Sequence, residues 1–308
     1  MQSTRTLFSS LTIIGALIAP ASVRGQILVA DVGVSEYSLS GATANPSLIN
    51  VNATSLAFSD GNLFVGSIGV SGDAIGEYTP SGVPINASLI SLTAAPNQLA
   101  VSGGNIFVGS VTTGKIAEYT TSGAIVNASL LSGFNNLLGM AVSGGDIFIC
   151  NGGVAANTGT ISEYTTSGAL VNASLVSGLN FPAGIAVSGG NIFVGISSSS
   201  GNGRVGEYTT SGAIVNASLI TGLVDPFRIT VSGNDLFVLN QNISGLGSVG
   251  EYTTSGATIN AALVPQTGGS TPQDIVVVPE PTTLAFAGLG GFSLLLWRRR
   301  GASPETAA

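Results

Sequence analysis

The pair Glu-Tyr recurs six times, at Glu36, Glu77, Glu118, Glu163, Glu207 and Glu251, at spacings of 41, 41, 45, 44 and 44 residues. A repeat of this length corresponds to one supersecondary unit. Such a unit cannot bury its own apolar face, so copies must stack on one another. Six copies point to a propeller or another repeat array and away from an ordinary single-core domain.

One copy divides into four short apolar segments: residues 182–189, 191–196, 204–212 and 213–221. Each is rich in β-branched or aromatic residues and bounded by Gly, Asn, Ser or Pro, the pattern of strands joined by tight turns. Four antiparallel strands per repeat make one blade of a β-propeller. In the segment "NIFVG", Ile192 and Val194 point one way and Phe193 the other. Both faces are apolar, as a blade between two neighbours requires.

The ends of the array are complementary. "ILVAD", from residue 27, aligns with second-strand segments, and the missing first strand reappears as "PQDIVVVP" at 272–279. The expected fold is therefore all-β: six blades of four strands, closed by residues 272–278 pairing with residues 27–31. Closure removes the open sheet edges that invite aggregation. The pattern "GIAVSGGNIFVG…I-EYTTSG" resembles the NHL and related six-bladed propellers over residues 26–278, and the resemblance implies the fold only. Trp-Asp repeats are absent; the single Trp is Trp297.

Charged residues make up only 7% of the chain, hydrophobic residues 44%, and mean hydropathy is +0.51. The Gly-rich composition thus reads as turns between buried strands and not as disorder. Residues 26–278 contain three bases against thirteen acids, a net charge of −10, which repels phosphate backbones and argues against nucleic-acid binding. The chain has no His, which removes the commonest general base and every imidazole metal site. The single Cys150 precludes an intrachain disulfide and reads as a buried, inert thiol.

Residues 1–25 carry a basic start at Arg5, an apolar core from Leu11 to Ala19, and small residues at Ala19 and Ala21. That order is the pattern of a secretory signal peptide, cut by signal peptidase after Ala21 or Gly25. At the other end, the uncharged run 282–297 is 16 residues long, barely enough to cross the hydrocarbon core as a helix. Trp297 sits where an interfacial aromatic belongs, and Arg298, Arg299 and Arg300 would stay cytoplasmic.

Val278-Pro279-Glu280-Pro281, then a Gly-containing apolar stretch, then the Arg cluster: this order resembles the PEP-CTERM sorting signal. The resemblance implies a Gram-negative bacterial protein recognised and cleaved near Pro-Glu-Pro by an exosortase. It also implies transient membrane attachment, delivery to the cell surface or extracellular space, and an association with polysaccharide. The expected division is 1–25 signal peptide, 26–278 propeller, 279–300 sorting signal with its transmembrane helix, and 301–308 cytoplasmic tail.

Within the propeller, the six repeated glutamates lie in third strands, away from the axis, so symmetry spreads them apart instead of gathering them around a calcium ion. Their expected role is structural, accepting bonds from nearby hydroxyls or amides. The tyrosines beside them are expected between blades. Asn52, Asn86, Asn127, Asn172 and Asn216 open N-x-S/T sequons, as does Asn242; the first five recur with the period, and the set is read as strand residues.

Binding should sit where repeats differ, in the loops between second and third strands and before first strands, which share one face of a propeller. Those loops offer Asn97, Gln98, Asn136, Asn151, Asn180, Asp225, Arg228, Asn240 and Gln241. Amides suit hydrogen bonding to sugars, or to a protein surface, better than acid–base chemistry. No metal or cofactor is expected, and a non-enzymatic binding or scaffolding propeller is favoured over a calcium-dependent lactonase or lyase. Such an enzyme would need several acids at the channel; the candidates are Asp225 and Asp274, with Asp31 and Asp60 near turns.

Overall fold

The computed structural model describes residues 25–70, 72–198, 201–241, 246–265 and 271–280. Residues 1–24 of the expected signal peptide, and Pro281, the helix at 282–297 and Arg298–Arg300 of the expected sorting signal, lie outside the described residues, as does Asn242.

Six four-stranded antiparallel sheets form the described chain. Blade 1 contains β1 (Gln26–Ala30), β2 (Val34–Ser38) and β3 (Thr43–Ile49). Blade 2 runs β4 (Ala53–Ser59), β5 (Asn62–Ser67), β6 (Asp73–Tyr78) and β7 (Pro84–Leu92). Blade 3 runs β8 (Gln98–Ser102), β9 (Asn105–Ser110), β10 (Lys115–Thr120) and β11 (Ile125–Ser132). Blade 4 runs β12 (Leu137–Ser143), β13 (Asp146–Asn151), β14 (Gly159–Thr165) and β15 (Leu170–Leu179). Blade 5 runs β16 (Pro182–Ser188), β17 (Asn191–Ile196), β18 (Gly203–Thr209) and β19 (Ile214–Leu223). Blade 6 runs β20 (Pro226–Ser232), β21 (Asp235–Gln241), β22 (Gly247–Thr253) and β23 (Thr258–Val264). The last strand, β24 (Asp274–Val278), returns to blade 1 as its innermost strand.

Closure follows the expected pairing. β24 runs antiparallel to β1, from Gln26↔Val278 to Ala30↔Asp274. The strand is shorter than the sequence indicates: Pro272 and Gln273 precede it, tied by the Gln273 amide to the Ala30 carbonyl at 2.8 Å. The result is the six-bladed propeller expected from the repeat, with no helix among the described residues.

The core lies between blades, and strand alternation builds it. Ile192 and Val194 pack with Phe148, Cys150 and Ile161 of blade 4, whereas Phe193 packs with Ile229, Leu236 and Val238 of blade 6. At the seam, Ile27 and Val29 join Phe237, Leu239 and Val249 of blade 6, while Leu28 and Ala30 face Leu56 and Leu63 of blade 2. Cys150 is fully buried, and burial raises its thiol pKa. The tyrosines of the Glu-Tyr pairs fill the same layers, as with Tyr78 against blade 1 and Tyr252 against blade 5.

Repeat residues also lock neighbouring blades at the rim. The turn after each third strand ends in a glycine with positive φ, from Gly41 to Gly256. That glycine lies over the carbonyl of a leucine in the preceding blade's outer strand. A Cβ on Gly123 would stand 2.6 Å from the Leu89 oxygen, and one on Gly256 2.6 Å from the Leu219 oxygen. Gly41 makes the same contact with Leu263, across the closure. Within five of these turns a Thr hydroxyl meets a Ser hydroxyl, as in Thr120–Ser122 at 2.8 Å, and accepts a backbone amide, as from Ala124 at 3.1 Å; in blade 1 Ser38 takes the place of the Thr.

Candidate functional site

Three of the six glutamates accept a structural hydrogen bond from an asparagine of the same blade. Asn62, Asn105 and Asn191, each opening a second strand, donate through Nδ2 to Glu77, Glu118 and Glu207 at 2.7, 2.8 and 2.7 Å. Blades 4 and 6 carry Asp146 and Asp235 at the equivalent position. There, burial and then the neighbouring aspartate raise the pKa of Glu163 and Glu251. Among the described residues, no cluster of three or more Cys, Asp or Glu has metal-binding geometry.

The sequon asparagines are outer-strand residues, with one correction. Asn86, Asn127, Asn172 and Asn216 sit in β7, β11, β15 and β19, where each Oδ1 accepts the amide two residues on at 3.0–3.2 Å. Asn52 does not belong to this set: it lies in the connection between β3 and β4. The blade 1 and blade 6 counterparts are Asn45 and Asn260, which make the same bond but lack the sequon. These bonds fix a bulge opposite each Glu-Tyr pair, which shifts the register of the outer strand.

The axial channel is closed by a charge pair. Each innermost strand places one residue at the axis by equivalent pairing: Ser55, Gln98, Gly139, Arg228 and Asp274 oppose Gly66, Gly109, Cys150, Leu239 and Ala30. Gly184 holds this place in blade 5, where a Cβ would sit 2.8 Å from Arg228 Cα. A Cβ on Gly139 would likewise collide with the Ala183 carbonyl, so both glycines let neighbouring innermost strands approach closely. Arg228 donates to the Leu138 carbonyl of blade 4 at 3.1 Å and to the Asn97 carbonyl beside blade 3 at 3.3 Å. Its Nε is 3.6 Å from Asp274 Oδ1. Asp274 Oδ2 accepts the Leu56 amide of blade 2 at 2.8 Å, and Oδ1 accepts the Ile275 amide at 2.9 Å. Burial pushes the Asp274 carboxyl up, against the opposing pull of Arg228 and the two amides. Burial likewise lowers the Arg228 pKa, against Asp274. The remaining axial cavity is about 150 Å³.

The structure places the other candidate residues on one face but gives most of them bracing roles. Asn97 Oδ1 accepts the Val111 amide at 3.0 Å. Asn136 donates to the Gly153 carbonyl at 3.3 Å and Asn151 to the Ser162 hydroxyl at 3.0 Å, beside a 400 Å³ hollow. Gln98 and Gln241 donate to the carbonyls of Leu138 and Pro272, at 2.8 and 2.7 Å. Asn240 is buried, with its Oδ1 unpartnered. Arg228, expected in a surface loop, is buried in the channel.

Asp225 lines a second hollow, of about 460 Å³, at the channel mouth between blades 5 and 6. Asp225 accepts the Ser197 hydroxyl, and Asn180 donates to the Ser197 carbonyl at 3.0 Å, leaving a buried, unpartnered Oδ1. The walls are residues that the sequence reading passed over: Leu138, Phe181, Ala183, Val224 and Phe227. Phe181 is 36% exposed with φ at 45°, and Phe227 lies 4.1 Å beneath the Arg228 guanidinium. The available signal was positional. "NFP" and "DPFR" put phenylalanine in the variable loops before the first strands of blades 5 and 6.

Residues 277–300 match the family described as the PEP-CTERM protein-sorting motif, which implies exosortase processing, export through the membrane and sorting to the cell surface. The match begins at Val277, inside the closing strand β24. No curated protein sequence matches the chain. Among solved structures, it is similar to the nidogen/laminin complex at 14% identity and a TM-score of 0.63, covering 82% of this chain and 98% of that one. It is similar to a gluconolactonase from Xanthomonas campestris at 14% identity and a TM-score of 0.56, covering 74% and 86%. TolB from Acinetobacter baumannii matches at 15% identity and a TM-score of 0.59, covering 83% and 66%. At these identities the likeness is one of fold alone.

Proposed function

We propose that this chain, which carries a PEP-CTERM motif, is a surface or extracellular-matrix protein whose propeller binds or scaffolds and does not catalyse. An N-terminal signal peptide starts its export. Exosortase releases it from a transient C-terminal anchor, and its partner is extracellular polysaccharide or protein. The observation that carries this reading is the Arg228–Asp274 pair. In an acid-dependent propeller enzyme, carboxylates must converge with free lone pairs on the channel. Here the axial carboxylate is held by an arginine and two backbone amides. The arginine in turn spends its donors on backbone carbonyls of neighbouring blades.

The second carboxylate near the mouth, Asp225, is bonded to Ser197. The gluconolactonase likeness keeps a lactonase as the rival reading. The test is purification from an exosortase-containing host, followed by assay against a panel of sugar lactones with added calcium. The proposal expects no turnover above background, with protein recovered from the cell surface. Calcium-dependent lactone hydrolysis that is lost in Asp274→Asn would establish the rival.

A further inference from the structure

The channel-mouth hollow differs from its surroundings in three ways that concern ligands. First, its walls are apolar, whereas the corresponding surfaces on blades 2 and 3 carry Thr54 and Asn97. Second, Phe181 holds a left-handed backbone, which is strained for a bulky residue, and keeps its ring partly in water. Strain retained at one loop position, by a residue still 36% exposed, is a feature of binding sites. Third, Asp225 adds a carboxylate acceptor beside the aromatic wall. The volume of about 460 Å³ suits a ligand of one or two rings.

Charge selects among such ligands. Arg228, which stacks on the Phe227 wall, is buried and engaged by Asp274 and three carbonyls, and Arg204 of β18 donates to the Ala217 carbonyl of the outer strand. An anionic ligand would therefore meet the Asp225 carboxylate without compensation. A purely apolar ligand would leave the acceptors unsatisfied, at a desolvation cost. A neutral pyranose has what both parts require: C–H faces for an aromatic ring and hydroxyl donors at its rim.

We infer that this hollow binds a neutral hexose residue of a glycan, with Phe181 as the stacking platform and Asp225 as the hydroxyl acceptor. The inference rests on the binding reading above and assigns it a place and a ligand class. The discriminating variant is Phe181→Gly, because it relieves the left-handed strain. A merely structural phenylalanine would lower stability when removed. A binding platform should leave the melting temperature unchanged or higher while weakening glycan binding by about tenfold or more.

The experiment applies the full chain in detergent to an array of neutral hexose oligomers and uronic-acid oligomers. Selective retention of neutral oligomers, weakened in Phe181→Gly and in Asp225→Asn and unchanged in Asn136→Ala, is the expected result. Three results would overturn the inference: no retention of neutral oligomers, equal retention of uronic acids, or undiminished binding by Phe181→Gly. None of these would touch the non-enzymatic reading, which the lactone assay tests separately.

Discussion

Gly41, in the first blade, lies against the carbonyl oxygen of Leu263 in the last, too close for any side chain at that position. The same contact joins every consecutive pair of blades, from Gly82 on Leu48 to Gly256 on Leu219. The ring is thus shut twice at one seam: at its inner edge by β24 on β1, and at its rim by this glycine latch. Both devices come from residues that repeat in every blade, so closure needs no specialised segment.

A methyl group at a latch should cost more than the positive φ alone. Gly190 has φ of 81° but open space around its Cβ position, and Gly41 has φ of 83°. Gly190→Ala should lower stability by about 1 kcal/mol from backbone strain. Gly41→Ala should lower it by roughly 2 kcal/mol more, because backbone must move. Urea unfolding of both variants checks this, and equal losses would mean the latch carries no energy.

The axial pair should behave as a buried ion pair. Arg228→Met leaves Asp274 charged and buried, and should cost about 3–5 kcal/mol. Replacing both, as Arg228→Met with Asp274→Leu, should recover most of that loss. Chemical denaturation of the single and double variants decides it. A single variant as stable as the parent would place Arg228 in solvent.

The repeat also contains two local conflicts. Where Asn62, Asn105 and Asn191 donate to their glutamates, Asp146 and Asp235 repel Glu163 and Glu251. The folded pKa of these two glutamates lies above the ordinary 4.5. The folded state therefore binds the proton more tightly than the unfolded chain. This contribution to stability is present below the unfolded value and lost as pH rises through the folded one. Asp146→Asn and Asp235→Asn should each raise stability at neutral pH by about 1 kcal/mol and flatten its dependence across the carboxylate range. Melting curves at several pH values measure both effects, and no gain at neutral pH would contradict them.

What could be read from the chain divides along the repeat. The period, the alternation in "NIFVG" and the two incomplete ends are local or periodic signals, and they specify blades, faces and closure. The partners of Glu207 and the place of Tyr208 follow from the same symmetry. Arg228 does not. It departs from the repeat once, and its partners Leu138, Asn97 and Asp274 lie on three other blades, far apart in sequence. Phe181 is illegible because it sits in a loop dominated by polar residues and its left-handed backbone leaves no mark in composition. Asn52 shares the sequon of Asn86 but not its register, so the motif alone misplaces it.

The sorting motif follows the propeller with no linker: Val278 is buried and paired with Gln26, while Pro279 and Glu280 are exposed. A cut that preserves the closed ring must therefore fall after Val278. The intact mass of the protein recovered from the surface of an exosortase-containing host tests the account most directly. The predicted result is a chain that begins at Ser22 or at Gln26, retains β24 through Val278, and lacks Arg298–Arg300. A chain that keeps its full C-terminus in the inner membrane, or one that ends within Asp274–Val278, would contradict it.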